Sequence, residues 1–505
     1  MHLSDLIQIN QHSGDAAVNV ARSLSNHNLV DSFSPTKAAV TVLKHLRDAV
    51  LPLVDGKPTP QEYRALNVYG SYGSGKSHLS VVIAQLLRDG CGDASFIRFF
   101  ERLNHFGEAQ LAENLKNTFL AQGDKDAKPY LLVSLEGQGL PSIGAVLMKE
   151  LYDAVKRRGL NPAEILPATE YDVCIKRFEE ICRNSPELAN TDLSQWNLHQ
   201  YLTTAYLLDA LKSHDPDSLE TFKHWHKAVC LGSEFNPVNE GGSNFISAYT
   251  EAGKNLAEKH SFAGILIVWD DFGGALEDLL RNPNRNASGE ILDLQRFVET
   301  VCSPAQGHTI FIGLTHISAY EYGVRTNCDD GLKDNLEKLF GIGATGSRFK
   351  SFKIELSAAE SEGYHLLGMQ KSWNDYGKAR LNQFRPNQEN VVGVCSTLPL
   401  FKNLGHQLTQ VSDEIYPLHP IMAAGLFGLS ALAQATRTAL TFFRDNQEMI
   451  NSRPISERGL FTDELIRLTE LVDYYGDAIK KNKAHEFERY QQAAKKVENE
   501  SCGKS

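Results

Sequence analysis

"LNVYGSYGSGKSHLSVVIAQLL", residues 66–87, sets three glycines, a lysine and a serine in a short loop between an apolar run and an amphipathic pattern. It fits G-x-x-x-x-G-K-[ST], with Gly70, Gly75, Lys76 and Ser77 in the fixed places. "ALNVY" (Ala65 to Tyr69) reads as a short buried strand. After Lys76, apolar residues at Leu79, Val82, Ile83, Leu86 and Leu87 recur at helical spacing. Strand, loop and helix are the setting in which such a loop wraps phosphates. Glycines let the backbone turn its N–H groups inward with no Cβ in the way, and the helix N-terminus adds partial positive charge. Gly70, Ser71, Tyr72, Gly73, Ser74, Gly75, Lys76, Ser77 and His78 are the expected nucleotide-binding residues. Lys76 is expected on the β- and γ-phosphates, and Ser77 is expected to hold Mg2+ through its hydroxyl.

A loop of this kind needs an acidic strand. "AGILIVWDDFGG" supplies one: Gly264 to Trp269 is a continuous apolar run, as a strand buried on both faces of a parallel sheet should be. It ends in Asp270 and Asp271 at the carboxyl end, where ligands bind in open α/β sheets. Asp270 is expected to orient the Mg2+ shell. Asp271 stands where many such ATPases carry the glutamate that polarises the attacking water, and its shorter side chain predicts slow hydrolysis or an altered geometry. "DFG" (Asp271 to Gly273) imitates a kinase metal motif, but no H-R-D accompanies it. "DFGG" also satisfies the D-x-x-G of GTPases, yet "NKAH" at Asn482 lacks the aspartate of a guanine-reading motif. ATP is therefore the expected nucleotide. A third strand, Thr309 to Thr315, is expected between the loop strand and the acidic strand, with Thr315 or His316 as a polar sensor of the γ-phosphate.

Composition bounds the remainder. The 505 residues are 42% hydrophobic and 22% charged with a formal charge of −11, which opposes a surface wholly devoted to nucleic acid. Eight scattered cysteines include no C-x-x-C pair, so reduced thiols and a cytoplasmic location are expected. The N-terminus lacks the pattern of a signal peptide. The most apolar run, "PIMAAGLFGLSALAQA" from Pro420, is shorter than the roughly 20 residues a bilayer requires, so no membrane association is expected.

The expected organisation is an N-terminal helical segment over 1–63, an α/β core over 64–356 with a helical insertion at about 155–240, a mixed connecting region over 357–412, and a C-terminal helical region over 413–505. In the insertion, "HWHKAVC" holds His224, His226 and Cys230, but i and i+2 side chains diverge on a helix, which argues against a metal site. "GIGATGSRFKSFKIEL" sets Arg348 between a glycine-rich loop and a strand-like segment, where an arginine can be offered to a γ-phosphate. "QKSWNDYGKARLNQFRPN" interleaves basic and aromatic residues, a weak nucleic-acid signal.

The loop "GSYGSGKS", the strand "ILIVWDDFG", "SRFK", "YPLHP" from Tyr416 to Pro420, and "ATRTALTFFRD" with Arg437 follow in an order that resembles the large P-loop ATPases of bacterial phage-defence islands. These are the BREX/Pgl-type (BrxC/PglY-like) ATPases and those found with DNA-phosphorothioation systems. The likeness spans about residues 30–480. It implies an AAA-like P-loop NTPase sheet of the additional-strand type and a helical lid carrying Arg437. It further implies nucleotide-dependent homo-oligomers, partner defence proteins, and action on foreign DNA. Arg348 is expected to act in trans and Arg437 in cis. The sequence departs from the family in Asp271 and in its length, since family members often run further.

Overall fold

The computed structural model describes residues 1–10, 18, 20–55, 63–71, 73–118, 128–137, 142–282, 285–303, 309–341, 347–355, 357–430, 439–489 and 491–492. Among them lie seven strands: β1 (Ile7–Ile9), β2 (Ala65–Tyr69), β3 (Tyr130–Leu135), β4 (Gly264–Trp269), β5 (Thr309–Thr315), β6 (Lys350–Lys353) and β7 (Lys371–Trp373). The fold is α/β, with a five-stranded sheet in a mostly helical chain. Strand order is β3-β4-β5-β2-β6, and every pairing is parallel. β5 lies between β2 and β4, the position expected of the third strand. β1 and β7 form a separate antiparallel pair.

The chain divides into two compact units. One gathers Met1–Val18, Gly70–Lys76 and Ile354–Ser505; the other gathers Asn19–Tyr69 and Ser77–Lys353 and contains the whole parallel sheet. Every residue of β4 and β5 is buried, as central parallel strands covered on both faces must be. Phe272 follows β4 and packs on Phe311 of β5, on Phe340 and on Phe349, with ring centroids 5.6, 6.0 and 6.1 Å away. Phe297, on the helix Ala287–Val301, closes on Phe311 from 6.4 Å. Each buried phenylalanine contributes about 1.5–3 kcal/mol, so this cluster fixes the centre of the sheet.

Between β3 and β4 the chain forms helices including Ile143–Arg157, Glu170–Asn184, Thr204–Lys212, Ser218–Val229 and Phe245–Lys259. Phe178, Phe222 and Trp225 give this region a second small core. His226 is committed within it. Its Nδ1–H donates to Ser233 O at 3.2 Å, which leaves Nε2 to accept from Arg177 Nε at 3.2 Å. Burial lowers its pKa, in keeping with a neutral ring. Among the described residues no group of three or more His, Cys, Asp or Glu side chains is arranged to hold a metal ion.

The unit that begins with Met1–Val18 departs from the expected helical segment over 1–63. Ile7-Gln8-Ile9 alternates buried, exposed, buried, and pairs with Trp373-Ser372-Lys371. A period of two sends Ile7 and Ile9 into a core with Leu3 and Leu6 while Gln8 faces out. That core also joins Tyr364, Phe401, Val411, Tyr416 and Phe443, so the segments expected as separate over 357–412 and 413–505 share one hydrophobic interior. Tyr416 of "YPLHP" stacks on Trp373 at 4.9 Å and donates to the buried Glu464 Oε1 at 3.0 Å. Among the described residues no helix is long and apolar enough to cross a membrane.

His214, in the insertion, stacks on Tyr152 with centroids 3.9 Å apart and meets the tilted ring of Tyr171 at 4.4 Å. Burial pushes its pKa down to about 4. The unfolded chain binds this proton near the ordinary imidazole value of about 6.5. Stability from this group is therefore present above about 6.5 and is lost as pH falls toward 4. Between pH 7 and pH 5 the loss should be about 2 kcal/mol. Denaturant unfolding at both pH values should show this loss in the wild type. It should be smaller by that amount in His214→Asn, whose side chain tolerates the left-handed backbone at this position (φ +56°).

Candidate functional site

β2 runs straight into the glycine-rich loop, and the loop runs into the helix Lys76–Asp89. Gly70 has φ +156°, and a Cβ there would lie 1.9 Å from Ile354 O, so only glycine fits. Gly75 has φ +95° and open space where a Cβ would stand. Lys76 is buried, and its ammonium donates to Gly70 O at 2.6 Å and Ser71 O at 2.9 Å. These acceptors are neutral, and a phosphate oxygen is a stronger partner for an ammonium than a carbonyl is. The buried Ser74 Oγ has no hydrogen-bond partner among the described residues. Tyr72 lies outside the described residues.

The His78 side chain turns elsewhere. Its Nε2–H donates to Leu29 O at 2.6 Å, and its ring meets Phe33 edge-on at 5.3 Å. Burial lowers its pKa. About two and three turns further along the same helix face, Gln85 donates to Asn26 O at 3.1 Å and Arg88 to Leu24 O at 2.8 Å. This polar stripe holds the segment that precedes the sheet, and the imidazole of His78 is engaged in that contact.

Parallel register sets the acids. Leu135 pairs with Trp269, so Glu136 and Asp270 leave the sheet at the same level. Tyr69 pairs with Thr315 and Trp269 with Gly313, which brings Asp271 level with Thr315 at the carboxyl edge. Asp270 accepts from Val20 N at 3.4 Å through Oδ2 and from Asp271 N at 3.1 Å through Oδ1. Burial holds its carboxyl above the ordinary carboxylate range; the two amides lower it, and the charges of Glu136 and Asp271 raise it further. A dication beside it would reverse that cost, so the group fits a metal ligand.

Asp271 does something the sequence did not predict. It sits in the left-handed region (φ +56°, ψ +35°) as the N-cap of the helix Phe272–Arg281, and its Oδ1 accepts from Gly274 N at 3.3 Å. His316 Nε2 stands 3.6 Å from the same oxygen. Of the two sensor candidates, Thr315 is buried and donates to Ile317 O at 2.7 Å. Its Oγ1 also lies 3.2 Å from the Asn67 amide, which can donate to it when the NH2 is turned that way. His316 is the one beside the acids. Its backbone N–H donates to the Tyr322 hydroxyl at 3.3 Å, and burial pushes that phenol up to about 12. A Cβ at Gly273 would lie 2.1 Å from the same hydroxyl. The "DFGG" glycine thus makes room for Tyr322, a residue that sequence reasoning missed for want of any local signal.

Arg348 stands at the opposite edge. It precedes Lys350, which pairs with Leu66 near the start of β2, whereas Lys353 pairs with Tyr69 at its end. Phe349 and the four residues of β6 separate Arg348 from that end, about 16 Å at the usual strand rise. Its Nε and Nη2 donate to Glu299 Oε1 at 2.8 and 2.7 Å. Burial opposes ionisation of Glu299, but hydrogen bonds from Gln295 and Arg348 hold its carboxyl below the ordinary range. Arg437 lies outside the described residues. In "QKSWNDYGKARLNQFRPN", Lys371 and Trp373 are turned inward, and burial pushes the Lys371 ammonium down to about 7. Arg385 binds Asp413 at 2.6 Å, and Arg380 lies over Phe384 and Tyr376. The basic and aromatic residues of this stretch are therefore mostly spent within their own unit.

No protein family, curated protein or solved structure matches this chain.

The cap geometry of Asp271 gives a stability test. Asp271→Ala loses the cap, about 1 kcal/mol, and sets a side chain without local hydrogen bonding in the left-handed region at a further cost of about 1–2 kcal/mol. Asp271→Asn keeps both features and should unfold at the wild-type denaturant midpoint. Equal destabilisation of the two variants would contradict the capping role.

Proposed function

We propose that this chain is an ATP-binding and ATP-hydrolysing protein of the AAA-like P-loop class. The observation that carries the reading is the joint placement of two motifs. The loop Gly70–Ser77 leaves the end of β2, and Asp270 leaves the end of β4, with β5 between the two strands. Open parallel sheets bind ligands at that edge. The loop backbone and Lys76 take the phosphates; Ser77 and Asp270 would hold Mg2+, which supplies charge neutralisation on the phosphate oxygens. His316 stands beside Asp271 as the polar sensor.

Arg348 supports action between subunits. At the amino edge of its own sheet it is remote from its own loop, so a γ-phosphate it reaches belongs to a second copy of the chain. Its ion pair with Glu299 has to open for that reach. In this reading ATP state governs a homo-oligomer, with Arg437 closing on nucleotide in cis. The wider role, a component of a DNA-directed complex against phage or foreign DNA working with partner defence proteins in the cytoplasm, rests on the sequence resemblance alone.

A second reading, a nucleotide-gated switch or scaffold with little turnover, is favoured by one observation: the Asp271 carboxylate is engaged in capping its own helix. Steady-state ATPase with and without DNA, together with mass measurements in ATP and in ADP, separates the two.

Lys76→Ala should abolish ATP binding; wild-type affinity in that variant would remove the phosphate-loop assignment. Arg348→Ala should bind ATP yet lose hydrolysis by about 10³–10⁵-fold if the arginine stabilises transition-state charge. Mixing the two inactive variants should restore activity, because a mixed interface pairs an intact loop with an intact arginine. Continued inactivity in demonstrably co-assembled mixtures would refute action in trans. Glu299→Gln is the control for loss of the ion pair alone and should keep turnover.

A further inference from the structure

We propose that Glu136, at the end of β3, is the carboxylate that takes the proton of the attacking water in ATP hydrolysis. The inference rests on the ATPase reading and deepens it by moving the general base from Asp271 to the neighbouring strand.

The phosphate-binding loop supplies the ligand; the question is which acid serves the water. Asp271 follows the metal-site Asp270, but its backbone is held in the left-handed region and its Oδ1 serves Gly274 N–H of its own helix. It is also a short side chain. Glu136 is one methylene longer, and it is exposed at the edge of the sheet. Because Leu135 pairs with Trp269, Glu136 leaves β3 beside Asp270. Consecutive amides of one turn hold the two acids together. Val20 N–H donates to Asp270 Oδ2 at 3.4 Å, and Ala21 N–H donates to Glu136 Oε1 at 3.3 Å. That contact orients the Glu136 carboxylate through one oxygen. Oε2 is the oxygen assigned to the water. Gly137 follows, with φ +96° and open space where a Cβ would stand.

The step balances without a further reactant. The water oxygen forms a bond to the γ-phosphorus as the bond between that phosphorus and the β,γ-bridging oxygen breaks. The electron pair of the broken bond stays on the β-phosphate of ADP. The water proton passes to Glu136 Oε2 and is later released with inorganic phosphate.

The test is single-turnover hydrolysis of ATP by the full chain, with ATP affinity measured by equilibrium titration. It compares the wild type with Glu136→Gln, Glu136→Asp and Asp271→Asn. Glutamine still accepts the Ala21 N–H, so the turn that carries Val20 and Ala21 stays in place. Glu136→Gln should slow cleavage by about 10²–10⁴-fold at unchanged ATP affinity, the range for loss of a general base. Glu136→Asp should fall between it and the wild type, because the base is present but retracted. Asp271→Asn should lose less of the rate than Glu136→Gln does, because it alters the partner of His316 and leaves the base in place. Wild-type cleavage by Glu136→Gln would overturn the proposal while leaving the ATPase reading intact. So would a loss in Asp271→Asn that Glu136→Gln does not share. A wild type that binds ATP without cleaving it would overturn both hydrolysis and the base, and one that does not bind ATP would overturn the phosphate-loop reading itself.

Discussion

The register of β4 against its two neighbours is the constraint on which the candidate site depends. Trp269 pairs with Leu135 on one side and with Gly313 on the other. Those two pairings alone decide that Glu136 and Asp270 emerge together and that Asp271 draws level with Thr315. A slip of one residue would turn every side chain of β4 to the opposite face. The aromatic cluster forbids it, since Trp269 and Phe272 pack 5.1 Å apart and Phe272 closes on Phe311, Phe340 and Phe349. The same phenylalanine begins the helix that Asp271 caps. Hydrophobic packing beneath the edge thus sets the positions of the carboxylates above it.

What the sequence made legible is local. The glycine-rich loop between strand and helix, and the buried run of β4 with its two terminal acids, follow from patterns that span fewer than about 20 residues, where periodicity and glycine content speak directly; the place of β5 is expected from ATPases with an additional strand and not from any local pattern. Contacts between distant parts of the chain were not legible. Ala21 meets Glu136 across 115 residues, and Val20 meets Asp270 across 250. No local pattern marks Tyr322 as the reason for Gly273 or Glu299 as the mate of Arg348. The left-handed backbone of Asp271 was hidden as well, because a D-D pair after a strand reads as two ligands until the first turn of the next helix is seen. In the other unit, Ile7 and Ile9 show a period of two over only three residues, too short to outweigh the helical pattern that begins at Lys37.

Arg348 illustrates how topology discriminates between roles that composition leaves equal. In a parallel sheet the two ends of the strands are chemically different places. A residue just before β6 lies at the amino edge whatever its side chain, and a guanidinium cannot span about 16 Å of strand to the carboxyl edge. The ion pair with Glu299 keeps that charge matched where it sits. Each exposed or half-exposed pair of this kind contributes little to stability, in the range of about 0–1 kcal/mol, so it opens at small cost when a stronger anion approaches.

The segment from Val20 to Phe33 joins the helix Lys76–Asp89 to the two acids at the ends of β3 and β4. Its helices, Val20–Ser23 and His27–Ser32, are four and six residues long, too short to hold their shape in water alone. Their conformation is imposed by donors from the helix that begins at Lys76, with His78 on Leu29 O, Gln85 on Asn26 O and Arg88 on Leu24 O. At its start the same segment offers two amides to Asp270 and Glu136. Each contact has a net worth of about 0.5–1.5 kcal/mol, so the set outweighs any one of its members. A shift of that helix must therefore move the amides that hold the acids, or break contacts along the way. The helix and the acids are joined through a segment that has little stability of its own, so its conformation follows the contacts at its two ends.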